Sequence, residues 1–128
     1  NKIATRGAIF YLNACAFTCL NFLYMIIYNT TYHAGVNVED KFIEWLRTEY
    51  IPRALASGEL SLPQLTCVMS DRREVEGKSF ALQFHAPSIE VLEIWYRRTG
   101  ATLLAEMRKI FNEDVVGFST LMEKLELE

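Results

Sequence analysis

The sequence has no concentrated positive charge. It contains 13 Lys or Arg residues and 16 Asp or Glu residues in 128 positions, and no basic run is longer than two residues. Two of the basic residues precede Met25 and all the acidic residues follow it, so the later part holds 11 basic against 16 acidic residues, a balance of −5. A protein that tracks nucleic-acid phosphates needs a clustered basic face. The composition therefore argues against a nucleic-acid partner.

Cysteine is scarce in the same part of the chain. Cys15 and Cys19 precede Met25, which leaves Cys67 as the single thiol after it. One thiol cannot build the disulfide framework of a small secreted domain, so the sequence predicts a cytoplasmic protein. Because Cys67 lies in an apolar stretch, we expect it to be a buried small hydrophobe.

Motifs for bound cofactors and metals are also missing. The glycines form no phosphate-cradling pattern, and no Ser-His-acid or Cys-His order is recognisable. A metal site needs three or more converging ligands, whereas the chain has 2 histidines with no acidic partner at a matching spacing. The sequence therefore predicts neither a cofactor nor a metal, and it gives no positive sign of catalysis.

Charged residues are absent from residues 7–35. The stretch from Ala8 to Ile27 gives twenty uncharged residues, about the length that spans a bilayer. The basic start and apolar middle are also typical of a signal peptide, and LNAC, which ends at Cys15, is similar to a lipoprotein cleavage box. A membrane anchor and a secretory or lipoprotein leader are therefore two hypotheses for this region.

The third hypothesis is that the region before Met25 is not part of the native domain. Met25 is the first possible initiator, and a regularly patterned domain begins there. We therefore expect residues 1–24 to be an apolar extension outside the domain, helical where it packs, and residues 25–128 to form one domain. On this prediction a membrane partner is not expected.

The stretch MIIYNTTYH, which starts at Met25, favours a β-strand. Its Ile, Tyr and Thr residues suit a pleated surface, and a period of two places Ile26, Tyr28, Thr30 and Tyr32 on one face. The other face carries the alternating residues and is also partly apolar. We therefore expect a central strand that is covered on both sides.

Two helices and three more strands follow. Asn37 is placed to cap the first helix, and Pro52 interrupts that helix or starts a short second one. LTCVM and KSFALQFH predict a hairpin across a polar turn, and the alternation in the second strand places Phe80, Leu82 and Phe84 on one face. Ser88 is placed to cap the last helix, and Gly100 predicts a bend or break within it. VVGFSTLMEKLEL predicts the last strand, in which Gly117 indicates a bulge or the close approach of a neighbour.

The resulting order is β-α-β-β-α-β, and no internal repeat is visible. This order predicts an α+β ferredoxin-like sandwich, with a four-stranded antiparallel sheet and two helices on one face. We expect the first and last strands to lie together at the centre of the sheet and the hairpin strands to form its edges. The second face of the sheet is then open.

Short motifs in this order resemble a known family. MIIYN, then EYIP with a Gly six residues after the Pro, then SFALQF and VVGFSTLME are similar to the bacterial family called domain of unknown function 4286, over residues 25 to about 125. The resemblance implies a fold of the dimeric α/β-barrel type and no assigned activity. Many relatives have His at the position of Tyr50 and Arg at that of Ser119, so chemistry shared through those positions would be absent here.

Candidate ligand-lining residues are few. Polar side chains in strands could fix a small ligand in a barrel-like cavity. The two histidines end strands and precede helices, so we expect them to line one end of the sheet, where they could handle protons or orient the ligand. We favour a structural role for all of them: ordinary strand-end histidines, polar strand residues that satisfy each other, and packing in the core or at a dimer interface for Trp45, Tyr50, Trp95 and Tyr96. The candidates are Tyr28, Asn29, His33, Trp45, Gln83 and His85.

These observations favour a non-catalytic module that binds a ligand or assists another protein. The apolar second face of the first strand predicts a homodimer through the open sheet face, and a small apolar ligand fits the composition. The alternative is a cofactor-free enzyme of the monooxygenase or isomerase type, which would need a pocket of a few hundred Å³ lined by a few polar groups. A membrane-tethered or lipoprotein-like protein is the third hypothesis and depends on residues 1–24.

Overall fold

A computed structural model describes residues 25–69 and 76–127, which form an α+β fold with one four-stranded antiparallel sheet. This is the ferredoxin-like sandwich that the sequence predicts. The expected helix in residues 1–24 lies outside the described residues. In chain order the elements are β1 (Ile26–Ala34), α1 (Glu39–Trp45), π1 (Leu46–Tyr50), α2 (Ile51–Leu55), β2 (Ser61–Cys67), β3 (Lys78–Ala86), α3 (Ile89–Trp95), π2 (Tyr96–Gly100), α4 (Ala101–Phe111), a 3-10 turn (Asn112–Asp114) and β4 (Val115–Glu123).

The strand order in the sheet is β2-β3-β1-β4. The predicted place of β1 at the centre is confirmed, but the prediction that β4 joins it there is wrong. A helical crossover links two parallel strands and leaves one strand position between them. β3 fills the position beside β1, so it lies at the centre, and β4 becomes an edge strand that pairs with β1.

Both helical stretches pass through a wide π turn instead of breaking. π1 separates α1 from α2, and Pro52 is the second residue of α2, where the α-helical hydrogen-bond ladder is already interrupted. π2 ends at Gly100, so the predicted bend or break there is a local widening of a continuous helix. Within residues 25–69 and 76–127, no helix is long and apolar enough to cross a membrane.

One of the two predicted helix caps is present in the structure and the other is not. Ser88 caps α3, since its Oγ accepts a hydrogen bond from the Val91 amide at 3.1 Å. The predicted cap at Asn37 is wrong, because α1 starts after Val38 and receives no side-chain cap. There the Val38 amide donates to the Gly35 carbonyl at 3.0 Å, so a backbone turn fixes the start of the helix.

The core lies between the sheet and the helices. Phe42 packs edge-on against Tyr32, with ring centroids 5.1 Å apart, and against Phe111 at 5.3 Å. Trp95 is 1% exposed, and its Nε1 donates to the Ala54 carbonyl at 2.9 Å, which joins the second helix to the first. The predicted inner face of β3 is confirmed, since its three apolar residues are buried: Phe80, Leu82 and Phe84.

The opposite face of the sheet, which we call the open face, is uncharged. Its residues alternate with the buried ones along three strands, and none is Asp, Glu, Lys or Arg. Phe118 is 65% exposed there, and Val116 and Met122 are exposed as well. The residues are Ile27, Asn29, Thr31, His33, Ser79, Ala81, Gln83, His85, Val116, Phe118, Thr120 and Met122.

The edge strand β2 is mostly exposed. Leu65 alone of its seven residues is partly covered, and Cys67 at its end is an exposed free thiol. The prediction that Cys67 is buried is therefore wrong. An apolar local sequence predicts a strand, but only the strand's place in the sheet decides whether helices cover it.

The two halves of the fold resemble each other more than the sequence suggested. β1 and β3 both end in His-Ala, and in their antiparallel register His33–Ala34 and His85–Ala86 are related about the central pair Thr30 and Leu82. Trp45 and Trp95 then end α1 and α3, and a five-residue π turn follows each. The spacing between equivalent residues is 52 for the histidines and 50 for the tryptophans, so no fixed period exposes the repeat.

Candidate functional site

A cavity of about 860 Å³ lies between the β1–β4 side of the sheet and the helical stretch around π2. Four tyrosines line it, namely Tyr28, Tyr32, Tyr50 and Tyr96, and we call it the tyrosine cavity. They are all the tyrosines within the described part of the chain. Its size is within the range of small-molecule sites.

The sequence places these side chains through three different elements. The two-residue period of β1 directs Tyr28 and Tyr32 towards the helices, because alternate side chains share one face. The π turns supply the other two, since Tyr50 ends π1 and Tyr96 begins π2. Such wide turns often occur at functional sites, because they displace side chains from the helix period.

Gly117 on β4 lets the sheet close beside Tyr32. The two residues are register partners, and a Cβ on Gly117 would lie 2.8 Å from Tyr32 Cδ1 and 3.0 Å from the Thr31 carbonyl oxygen. The close approach predicted at this glycine is therefore present, and the neighbour is a cavity tyrosine.

Hydroxyl groups cluster in the wall of the cavity. Thr30 is 9% exposed, and its Oγ1 lies 2.9 Å from Ser119 Oγ on the neighbouring strand. The Tyr28 phenol interacts with both hydroxyls, and the Tyr32 phenol interacts with Thr30 and Tyr50. These five hydroxyls, four on β1 and β4 and the fifth on Tyr50 of π1, thus form a polar patch within an otherwise apolar core.

Burial raises the pKa of three of the phenols. It raises the pKa of Tyr28, although hydrogen bonds from Ser119 and Thr30 act in the opposite direction. It also raises the pKa of Tyr32 and of Tyr50, and repulsion between neighbouring phenolates adds to both shifts. At neutral pH these side chains are uncharged, as a phenol with the ordinary pKa of 10.0 also is, and each can donate one hydrogen bond.

The remaining walls are apolar, and charge is confined to the rim. Leu104 and Met107 of α4 contribute hydrocarbon surface to the lining. Arg108, Glu113 and Asp114 also line the cavity, and all three residues are exposed. The arrangement suits a molecule with an apolar body, a polar atom near the phenols and solvent contact at its outer end.

The six predicted site residues do not converge. Tyr28 lines the tyrosine cavity. Asn29 and Gln83 are register partners on the open face, on the far side of the sheet. Trp45 packs between Tyr50 and Phe111, with ring centroids 5.7 and 5.9 Å away, and it is not among the cavity-lining residues.

The two histidines lie at opposite ends of the open face, so the prediction that they line one end of the sheet is wrong. His33 pairs with Ser79 and His85 pairs with Ile27, about 20 Å apart along β1 at the usual rise per residue. Both histidines precede helices, but β1 and β3 are antiparallel, so the helices that follow them begin at opposite ends of the sheet. His33 is held at its end by Ser79 Oγ at 3.1 Å from Nδ1 and by the Glu76 carbonyl at 2.9 Å from Nε2.

Most of the cavity residues were missed in the sequence. Tyr50 and Tyr96 were interpreted as packing residues, because aromatic rings at helical spacing are common in cores. The available signal was the run Tyr28, Thr30 and Tyr32, which places hydroxyls on the core face of a central strand. Tyr50 and Ser119, the two departures from the family pattern, both line the cavity.

A second groove of about 780 Å³ lies at the opposite edge, between α1–π1 and β2. Its walls carry Glu39, Glu44, Arg47 and Lys78, and Lys78 Nζ lies 3.9 Å from Glu39 Oε1. The described residues contain no group of three His, Cys, Asp or Glu side chains that could hold a metal ion. The groove has no buried polar cluster like that of the tyrosine cavity, which is therefore the stronger candidate.

Residues 25–125 match the family described as a domain of unknown function (DUF4286), and the chain belongs to that family. The resemblance seen in the short motifs is thereby confirmed over the same span. The chain has no match among curated proteins.

Several solved structures share the fold. A conserved protein of unknown function from Bacteroides thetaiotaomicron, described as a possible oxidoreductase, has a TM-score of 0.59 and 20% identity over 78% of this chain and 97% of its own. A candidate antibiotic biosynthesis monooxygenase from Deinococcus radiodurans has a TM-score of 0.51 and 16% identity over 80% and 93%. A hydroxynitrile lyase from Passiflora edulis has a TM-score of 0.56 and 13% identity over 79% of this chain and 96% of its own. At these identities the likeness shows the fold alone.

Proposed function

We propose that this DUF4286 member is a non-catalytic module that binds a small molecule in the tyrosine cavity and works as a homodimer. The observation that carries the proposal is a cavity of about 860 Å³ in which buried hydroxyls converge on an apolar chamber. A mostly apolar pocket with a few placed polar groups is the usual form of a small-molecule site.

Binding is favoured over catalysis because the cavity holds no side chain poised to take a proton. Both histidines of the chain lie on the open face, and the buried phenols, which are protonated at neutral pH even at the ordinary tyrosine pKa of 10.0, have pKa values raised further by burial. The carboxylates in the described lining, Glu113 and Asp114, are exposed at the rim. A general base needs contact with the proton that it abstracts and a pKa near the working pH.

The binding proposal is tested by a fragment screen on the isotope-labelled full chain, followed by amide chemical shifts. Hits should shift the amides of β4 and π2 around the cavity. Leu104→Trp should abolish binding because the larger ring fills the chamber, while Ile43→Trp, at the half-buried wall of the second groove, should leave it intact. Hits that bind the Leu104→Trp variant unchanged would refute the assignment of the site.

The dimer proposal is supported by the open face. That face is uncharged and exposes Phe118, Val116 and Met122, so a second copy could bury it without leaving unpaired charges. Ala81→Arg at the middle of the face should give a monomer in sedimentation velocity, while Thr102→Arg on an exposed helix position should not. A wild-type chain that stays monomeric at micromolar concentration would contradict the proposal.

A cofactor-free enzyme of the monooxygenase or isomerase type is the second candidate. The cavity meets the size that this hypothesis requires, and its neutral phenols could donate to an oxygen that gains charge during a reaction. Mass spectrometry of a bound ligand after incubation in air would distinguish the two candidates. A product that forms with wild-type protein and not with Tyr50→Phe would favour the enzyme.

A cytoplasmic location belongs to the same proposal. The exposed free thiol of Cys67 supports a reducing compartment. The alternative of a membrane-tethered or lipoprotein-like protein depends on residues 1–24. Mass spectrometry of the intact protein from its native host tests it, since a product that starts at Met25 would exclude the tether.

A further inference from the structure

The hydrogen-bonding groups of the tyrosine cavity restrict the ligand that it can hold. The side-chain hydrogen-bonding partners that shift the pKa values of Tyr28, Tyr32 and Tyr50 are hydroxyls, namely those of Ser119, Thr30 and the neighbouring tyrosines. A phenol donates hydrogen bonds better than it accepts them, because its proton is acidic and its lone pairs are drawn into the ring. Among the described residues, the buried hydroxyl cluster thus has phenol donors and no carbonyl or carboxylate side chain of its own, and a ligand oxygen would supply a good acceptor.

Charge is disfavoured at the same place. Thr30 and Tyr50 are buried, and the charged side chains in the lining, Arg108, Glu113 and Asp114, are exposed at the rim. Removing a carboxylate or an ammonium group from water without a paired charge is costly. The desolvation that raises the pKa of the phenols would also disfavour an ionised group of the ligand.

The other surfaces suit a flat ring. Tyr28 and Tyr96 are aromatic residues of the lining, and both rings rest against the buried Trp95, with centroids 5.8 and 6.5 Å away. Leu104 and Met107 cover the helix side with hydrocarbon. Aromatic and aliphatic walls bind rings well because such contacts bury much apolar area.

We infer that the tyrosine cavity takes an uncharged ring compound that bears a hydrogen-bond-accepting oxygen, for which an aromatic ketone is the simplest example. This inference rests on the proposed binding function and adds the chemical class of the ligand.

Four probes of one shape test the inference on the full chain: 2-acetylnaphthalene, 2-ethylnaphthalene, 2-naphthoate and 2-naphthylmethylamine. Amide chemical shifts at pH 7 give both the affinity and the location. We expect the ketone to bind about tenfold more tightly than either ion, because of their desolvation. We expect it to bind about fivefold more tightly than the ethyl compound, because of one hydrogen bond.

Variants then identify the donor. Tyr50→Phe should reduce the preference for the ketone over the ethyl compound towards unity, and Tyr32→Phe repeats the test if the first variant does not fold. Thr66→Val, on β2 away from the cavity, should leave the preference unchanged. The circular dichroism of each variant shows whether its fold is intact.

Other outcomes would overturn the inference. An ion that shifts the cavity amides at the same concentration as the ketone, or a ketone that binds no better than the ethyl compound, would refute the ligand class and leave the binding function standing. If none of the four probes shifts the cavity amides, the ligand class is refuted. The binding function fails as well if the broader fragment screen finds no ligand there.

Discussion

Gly100→Ala tests how the second helix packs against the cavity. A Cβ at this position would lie 2.5 and 2.9 Å from two ring carbons of Trp95 and 2.9 Å from Tyr96 Cδ1. The Trp95 ring is 1% exposed and is held by its hydrogen bond to the Ala54 carbonyl at 2.9 Å. The ring therefore cannot withdraw without losing that bond or displacing the first helix.

Two opposing effects set the size of the change. Alanine is favoured over glycine within a helix by about 1 kcal/mol, which alone would make the variant more stable. Overpacking a tight interior costs about 1–3 kcal/mol, and contacts below 3 Å with a fixed aromatic ring place Gly100 near the upper end. We therefore expect a net loss of about 1–2 kcal/mol in the free energy of unfolding.

Urea unfolding of the full chain, followed by circular dichroism, measures this difference. Gly35→Ala is a matched control, because its Cβ would meet the Asp114 carbonyl oxygen at 3.6 Å, an ordinary contact. The control should stay within about 0.5 kcal/mol of wild type. A Gly100→Ala variant as stable as wild type, or more stable, would show that helix propensity outweighs packing here and would refute the reasoning.

Three further predictions use the same unfolding assay. Arg53 donates two hydrogen bonds of 2.8 Å to Glu106 and lowers its pKa, so Glu106→Gln should be less stable than wild type at pH 7, and their urea midpoints should converge as the pH falls below the unfolded value of 4.5. Burial raises the pKa of Tyr50, so the contribution of its neutral phenol to the free energy of unfolding is complete below pH 10.0 and declines above it. Wild type should therefore lose more stability in strong alkali than Tyr50→Phe, which has no phenol to ionise. Trp95→Phe removes the donor to the Ala54 carbonyl and part of a buried ring, so it should cost about 1–3 kcal/mol. The first prediction is contradicted if the urea midpoints of Glu106→Gln and wild type stay the same distance apart in acid. The second is contradicted if Tyr50→Phe and wild type lose equal stability in alkali, and the third if the Trp95→Phe midpoint equals that of wild type.

Local patterns predicted the features that depend on neighbouring residues. The alternation of β1 and β3 gave the correct buried faces, because a two-residue period is fixed by strand geometry. Ser88 was a correct cap because its hydroxyl needs only the amide three residues later. Strand order, the exposure of Cys67 and the separation of the histidines depend on which strands are neighbours, and no local pattern contains that information.

The cavity was hidden from the sequence for a different reason. A prediction of helix faces assumes about 100° of rotation per residue, and each π turn inserts one extra residue into that period. Side chains after π1 and π2 therefore face directions that a regular helical wheel does not give. Tyr50 and Tyr96 lie in these two turns, so their aromatic character was visible and their convergence on β1 was not.

The internal repeat shows how one scaffold position serves two purposes. Tyr50 and Gly100 both follow their tryptophan by five residues and both end a π turn, and both line the tyrosine cavity. In the first half, this position supplies a buried phenol to the hydroxyl cluster. In the second half, it must be empty of a side chain, because the Trp95 ring occupies the place of a Cβ. A symmetric tyrosine at Gly100 would collide with that ring, so the difference between the two halves, rather than their similarity, gives the cavity its polar side and its room.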